Sequence, residues 1–108
     1  MVIEIHEENF KKEVLDSKTP VIIDFFADWC GPCQMMKPVF HAVSEEFKGK
    51  LKFAKINTDE SGELAGKFGV QGIPCLIVLS KGKEAGRIVG YMNEDSLKQK
   101  IEDILENI

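Results

Sequence analysis

Cys30 and Cys33 are separated only by Gly31 and Pro32 and follow directly on the apolar run Val21–Ala27. A disulfide across so short a loop stabilises a fold weakly, by about 2 kcal/mol in the chain-entropy model against about 3–5 kcal/mol for long loops. Reactivity explains the pair better than stability: two neighbouring thiols can exchange electrons with another disulfide. That chemistry needs a thiolate, because the thiolate and not the thiol is the nucleophile. Cys30 stands just ahead of a predicted helix, where unpaired backbone N–H groups and the helix dipole favour negative charge. Pro32 suits the first helical turn, since its missing N–H would have no intrahelical partner there. Cys33, inside that turn, can reach back to Cys30. These positions assign attack on a disulfide to Cys30 and release of the captured partner to Cys33. Two inert or metal-bound thiols are the competing reading.

Other reactive side chains are few. Asp24 interrupts the apolar run, and its neighbours imply burial, which raises a carboxyl pKa by disfavouring the charged form. A carboxylate facing water at a strand end is the plainer alternative. Cys75 follows Pro74 and suits a small buried position, as free cysteines often do; a third redox-active thiol near the dithiol is the sharper possibility. His41 lies roughly 12 Å along the helix from Cys33, too far for a Cys–His catalytic pair. Three cysteines and a histidine could ligate zinc, but no second Cys-x-x-Cys is present, so no metal is expected. No glycine-rich phosphate loop or dinucleotide fingerprint appears. The Cys30–Cys33 disulfide is therefore the only redox group expected, and reducing power must arrive from another protein.

The surrounding pattern supplies elements to position these residues. Val2–His6 reads as a first strand and Asn9–Ser17 as a helix with Phe10, Val14 and Leu15 on one face. Val21–Ala27 is apolar at nearly every position, as expected of a strand covered on both faces. Cys33–Phe47 follows as a helix, with Met35, Met36, Val39, Phe40, Val43 and Phe47 at helical spacing and Pro38 expected to kink it. Leu51–Asn57 is a third strand and Ser61–Phe68 a short helix. Pro74–Ser80 and Glu84–Val89 form a fourth and fifth strand joined at Lys81-Gly82. A last helix starts near Asn93 and carries Leu97, Ile101, Ile104, Leu105 and Ile108 on one stripe. This order implies an α/β fold with a mixed sheet of about five strands between helices on both faces.

The chain has 108 residues, which fits one domain, 1–108. Its net charge of −4, with no basic cluster, argues against nucleic acid and anionic membranes as partners. The longest apolar run is far too short to span a bilayer. The amino terminus has neither a basic nor an apolar signal region, and an odd cysteine count does not suit a disulfide framework. A reducing cytoplasm is the expected location.

Trp29-Cys30-Gly31-Pro32-Cys33 after an apolar strand resembles the active-site motif of the thioredoxin family. Asp24, Lys55, Ile73-Pro74 and Gly90 extend the resemblance along the whole chain. The thioredoxin fold is what this implies, with a protein-disulfide reductase and electron carrier recycled by a separate thioredoxin reductase and acting on disulfide-containing client proteins, as a monomer. It further implies that Asp24 accepts a proton from Cys33, directly or through water, with Lys55 as its ionic neighbour. A cis Ile73–Pro74 bond is implied beside the dithiol, and a client docking surface made by Trp29, Gly72, Ile73, Pro74, Val89 and Gly90.

The sequence departs from the family's common pattern in a few places. Cys75 stands where threonine is frequent, Phe26 where tryptophan is frequent and Gln34 where a basic residue is frequent, while Tyr91 enlarges the rim after Gly90. Neither Gly31 nor Pro32 carries a charge that would stabilise the reduced form, which favours reducing disulfides over installing them. A disulfide oxidase or isomerase on the same fold, and a redox-independent binding subunit of a larger assembly, are the alternatives.

Overall fold

The strand that delivers the dithiol is the centre of the sheet. In a computed structural model covering residues 1–108, the strands are β1 (Val2–Glu4), β2 (Val21–Phe26), β3 (Lys52–Asn57), β4 (Cys75–Ser80) and β5 (Lys83–Val89). They lie in the order β1-β3-β2-β4-β5. β1, β3 and β2 run parallel, while β4 is antiparallel to β2 and β5 to β4. The expected mixed five-stranded sheet is therefore present. Its helices are α1 (Glu7–Phe10, continued as a π-helical segment Lys11–Leu15), α2 (Gly31–Glu46), α3 (Gly62–Lys67) and α4 (Glu94–Glu106).

The near-continuous apolar run of β2 is explained by its two covered faces. Val21, Ile23 and Phe25 join Val14, Leu64 and Ala65 in a core against the α1 segment and α3. Ile22, between them, points the other way and packs with Met36, Phe40, Val43, Leu97 and Ile101 against α2 and α4. Alternation along a strand forces this division. It also sends Asp24, two residues beyond Ile22, towards α2.

Several boundaries differ from the expected ones. α2 begins at Gly31, two residues ahead of the Cys33 start, with Cys30 as its N-cap, in keeping with its expected place just ahead of the helix. Pro38 lies inside α2, where it was expected. Pro74 precedes β4 instead of beginning it, and β5 starts at Lys83. Ile108 is not on the α4 stripe: the helix ends at Glu106, and Ile108 is 55% exposed beyond the cap.

Close approach of α4 to β5 depends on Gly86. A Cβ there would lie 2.8 Å from both Cδ1 and Cγ1 of Ile104 and 3.1 Å from its Cγ2, so the whole isoleucine side chain must move. Replacing glycine by alanine can gain about 0.4–1 kcal/mol through the unfolded chain, but overpacking costs about 1–3 kcal/mol. Overpacking outweighs the entropic gain and makes the change destabilising. Gly86→Ala should lower the denaturant midpoint by an amount equivalent to about 1–2 kcal/mol. A midpoint unchanged or raised in chemical denaturation would show that Ile104 yields freely.

Candidate active site

Three short hydrogen bonds fix Cys30 where β2 gives way to α2. Its N–H donates to Ala27 O at 3.2 Å, and its carbonyl accepts from Gln34 N at 3.1 Å. Its Sγ accepts from Cys33 N at 3.2 Å, as the side-chain oxygen of a conventional N-cap would. Pro32 sits in the first turn beside it, where the missing donor is harmless. Cys30 and Cys33 are joined as a disulfide with their Cα atoms 5.2 Å apart. Both residues are buried, at 5% and 3% exposure, so accessibility does not separate attacker from resolver. The cap geometry distinguishes the two sulfurs, because only Cys30 Sγ receives the helix N–H.

Two loops close around the sulfurs. Ile73–Pro74 is a cis peptide, and Ile73 O lies 3.8 Å from Cys30 Sγ, a contact that becomes a hydrogen bond when Cys30 is a thiol. Pro74 O accepts from Gly90 N at 2.8 Å, and Gly90 occupies a positive φ of 95° that other residues rarely adopt. The Cβ position of Gly72 is 3.4 Å from Val89 Cγ1. Gly72, Ile73, Pro74, Val89 and Gly90 are thus gathered beside Cys30. Trp29 and Val89 are 73% and 62% exposed, far more than apolar side chains of a core. Trp29 is not loose: its Nε1 donates to Asp59 Oδ2 at 3.0 Å. Asp59 was invisible in the sequence because its partner is distant along the chain. The only local sign is the turn in which Asn57 Oδ1 accepts from Asp59 N at 2.9 Å and Glu60 N at 3.3 Å.

Asp24 is buried, with 5% of its surface exposed, and its Oδ1 has no hydrogen-bond partner. Burial pushes its pKa up to about 7, and the Lys55 ammonium offsets only part of that rise. Lys55 is its cross-strand neighbour in β3. The two form no ion pair, however, and Lys55 Nζ sits over the Phe26 ring, 5.8 Å from its centroid. A cavity of about 20 Å³ lies against Asp24, Phe26, Cys33, Gln34, Lys37 and Lys55. That volume suffices for one water between the carboxyl and Cys33. Lys37 was not singled out from the sequence, although its position one turn after Cys33 puts both on one helix face.

A family model described as Thioredoxin matches residues 1–103. The chain belongs to the thioredoxin family. It is 39% identical over 99 residues to Thioredoxin 1 of Nostoc sp. (strain PCC 7120 / SAG 25.82 / UTEX 2576), covering 92% of each chain. It is 38% identical over 102 residues to Thioredoxin of Synechocystis sp. (strain ATCC 27184 / PCC 6803 / Kazusa), covering 94% of this chain and 95% of that one. Thioredoxin M-type, chloroplastic, of Chlamydomonas reinhardtii is 40% identical over 101 residues, 94% of this chain and 72% of the relative. With the Cys30–Cys33 pair at disulfide distance, the protein is a thioredoxin-family protein-disulfide oxidoreductase.

The position where many thioredoxins have threonine places Cys75 in the core. It is 1% exposed, paired with Phe25 and Val89 in the sheet, and packed on the α1/α3 face, whereas Asp24 and α2 occupy the other. Burial pushes its thiol pKa up, which makes it a poorer nucleophile. The buried-residue reading of Cys75 fits, and the three cysteines do not converge on a common ligand set.

The Asp24 environment has a signed consequence for stability. Below about pH 4 the folded and unfolded chains both hold the proton. Between about pH 4 and 7 the folded chain keeps a proton that the unfolded chain has released, so stability falls as pH rises. Above about pH 7 the loss is complete, on the order of 4 kcal/mol. Asp24→Asn, neutral throughout, should match the wild type near pH 4 and exceed it by up to about 4 kcal/mol at pH 8. Denaturant titrations at the two pH values check this, and a gap independent of pH would rule out an ionisation effect.

Proposed function

We propose that this chain reduces protein disulfides through Cys30 and Cys33 and carries electrons from a separate reductase. The observation that carries this reading is the Cys33 N–H donated to Cys30 Sγ, since a charge developing on that sulfur is met by a helix N-terminus. In the first step the Cys30 thiolate attacks one sulfur of the client disulfide. A Cys30–client bond forms, the client bond breaks, and the second client sulfur leaves as a thiolate. Cys33, one turn away, then attacks Cys30 and expels the client. The product is the Cys30–Cys33 disulfide, which a reductase must return to the dithiol. Members of the family act on disulfide substrates and are recycled in this way.

Further roles complete the proposal. Asp24 accepts the Cys33 proton through the adjoining cavity, and Lys55 tunes that carboxyl from β3. Trp29, Gly72, Ile73, Pro74, Val89 and Gly90 form the docking surface for an extended client segment. No backbone–backbone hydrogen bond uses Ile73, so its N–H is available for strand addition, and its C=O is too once Cys30 is a thiolate with no proton to donate. Gly31 and Pro32, both exposed, let a client approach and add no charge to the reduced form, which supports the reducing direction. Residues 1–108 are proposed to act as one domain and as a monomer in a reducing compartment such as the cytoplasm. No helix is long and apolar enough to cross a membrane.

Insulin reduction driven by dithiothreitol tests the assignment. Cys30→Ser should reduce turnover to the dithiothreitol background. Cys33→Ser should instead accumulate a Cys30–client mixed disulfide visible by mass spectrometry. Wild-type turnover by Cys30→Ser, or trapping through Cys75 in place of Cys30, would overturn the roles given to the pair.

A further inference from the structure

The α2 face that carries Cys33 continues, four and eight residues on, through Lys37 and His41. Two cavities run along it and share one carboxyl. The smaller, about 20 Å³, joins Asp24 to Cys33. The larger, about 70 Å³, is lined by Val2, Asp24, Lys37, Phe40, His41 and Lys55. Asp24 lines both, nearly fully buried and with an unpartnered Oδ1. Each cavity has room for water and polar groups to hold it.

Turnover creates a proton that must leave. When Cys33 attacks, the Cys30–Cys33 bond forms and the Cys30–client bond breaks. The client is reduced by two electrons and the dithiol oxidised by two. The client thiolate takes a proton from solvent, while the Cys33 proton stays on Asp24 until something removes it. In the smaller cavity no side chain can receive it. Phe26 is apolar, the Gln34 amide donates to Asp28 O at 3.2 Å, and the lysine ammoniums are donors without an acceptor site. In the larger cavity Val2 and Phe40 are apolar and the same two lysines recur. His41 is the remaining group, and a neutral imidazole carries one ring nitrogen that can take up a proton and another that can give one up.

We propose that His41 is the proton outlet of Asp24, passing the proton released by Cys33 through the larger cavity to solvent. His41 meets neither client nor sulfur and acts only through Asp24. The inference rests on the reading of Asp24 as proton acceptor. The charged groups around the route are Lys37 on α2, Lys55 on β3 and Asp24 itself. Towards β1, the Met1 ammonium donates to Ser44 Oγ at 3.3 Å and Glu45 Oε2 at 2.7 Å, and Ser44 Oγ donates to His41 O at 2.6 Å. The His41 side chain is exposed, so its removal leaves the core intact.

The test is single-turnover oxidation of pre-reduced protein by excess insulin, with disulfide formation followed by the fluorescence of the sole tryptophan, Trp29, and the proton leaving Asp24 followed by a pH-indicator dye. Wild type, His41→Gln, Asp24→Asn and the double variant are compared across about pH 6–8 in weak buffer, with and without imidazole. His41→Gln should slow proton release about fivefold with disulfide formation little changed, short of the ~10²-fold or more expected of direct proton transfer to a reacting group. Imidazole should restore it, and the double variant should be no slower than Asp24→Asn. Asp24→Asn at the wild-type rate and pH profile would overturn the proton-acceptor reading and the outlet with it. Asp24→Asn slow with His41→Gln at the wild-type rate of proton release would overturn the outlet alone. So would a His41→Gln defect that imidazole does not repair, or one equally large in the Asp24→Asn background.

Discussion

One backbone N–H, that of Cys33, points at the sulfur of Cys30, and the rest of the molecule is arranged so that it does. The N–H is free to do so because it belongs to the first turn of α2, where no intrahelical carbonyl can claim it. The sulfur is in range because Cys30 is also held by Ala27 O and by Gln34 N. The first restraint hangs from the end of β2, which is buried between parallel β3 and antiparallel β4 and packed on both faces, and the second belongs to α2 itself. A rigid central strand therefore ends in a rigid cap, and a reactive thiol inherits its position from the most deeply packed part of the fold.

Asp24 shows the opposing pressure. On the same strand, an apolar residue of similar size would contribute roughly 1.5–3 kcal/mol by burial, whereas a carboxyl without a hydrogen-bond partner loses stability once it ionises. The neighbouring Lys55 does not cancel that loss, since its ammonium rests over Phe26 and not against the carboxylate. A carboxyl kept half-ready near neutral pH is suited to accept and release protons, and the fold tolerates its cost because the surrounding apolar layers are continuous.

Most of this architecture was legible in the sequence because hydrophobic periodicity encodes layers. The near-continuous apolar run of β2 announced a strand covered twice, and the spacing of Met36, Phe40 and Val43 announced the helix above it. What escaped notice depends on contacts between distant segments. Trp29 and Asp59 meet only after the loops of β2 and β3 are brought together. Lys37 matters because Asp24 faces it across a cavity, though its spacing from Cys33 was a usable sign. The π-helical Lys11–Leu15 depends on which carbonyl receives each N–H, and apolar patterns carry no such information. Ile108 was misplaced for the converse reason: its apolar side chain continues the spacing of the stripe after the helix itself has ended.

The margins of the sheet bear on where another polypeptide can attach. β1 has three residues, too few to template a stable partner. β5 is mostly exposed but studded with Lys83, Glu84 and Arg87, and it bulges opposite Val78 and Leu79. Arg87 also ties Glu84 and Phe68 O together, bracing that margin against α3. Both flanks are thereby guarded against promiscuous zippering, and the uncommitted main chain at Ile73 stands within touching distance of Cys30. In the docking role proposed for Ile73, an unfolded strand that finds lodging there is presented to the sulfur in the act of attaching, so selection of a guest and exposure of its disulfide become a single event.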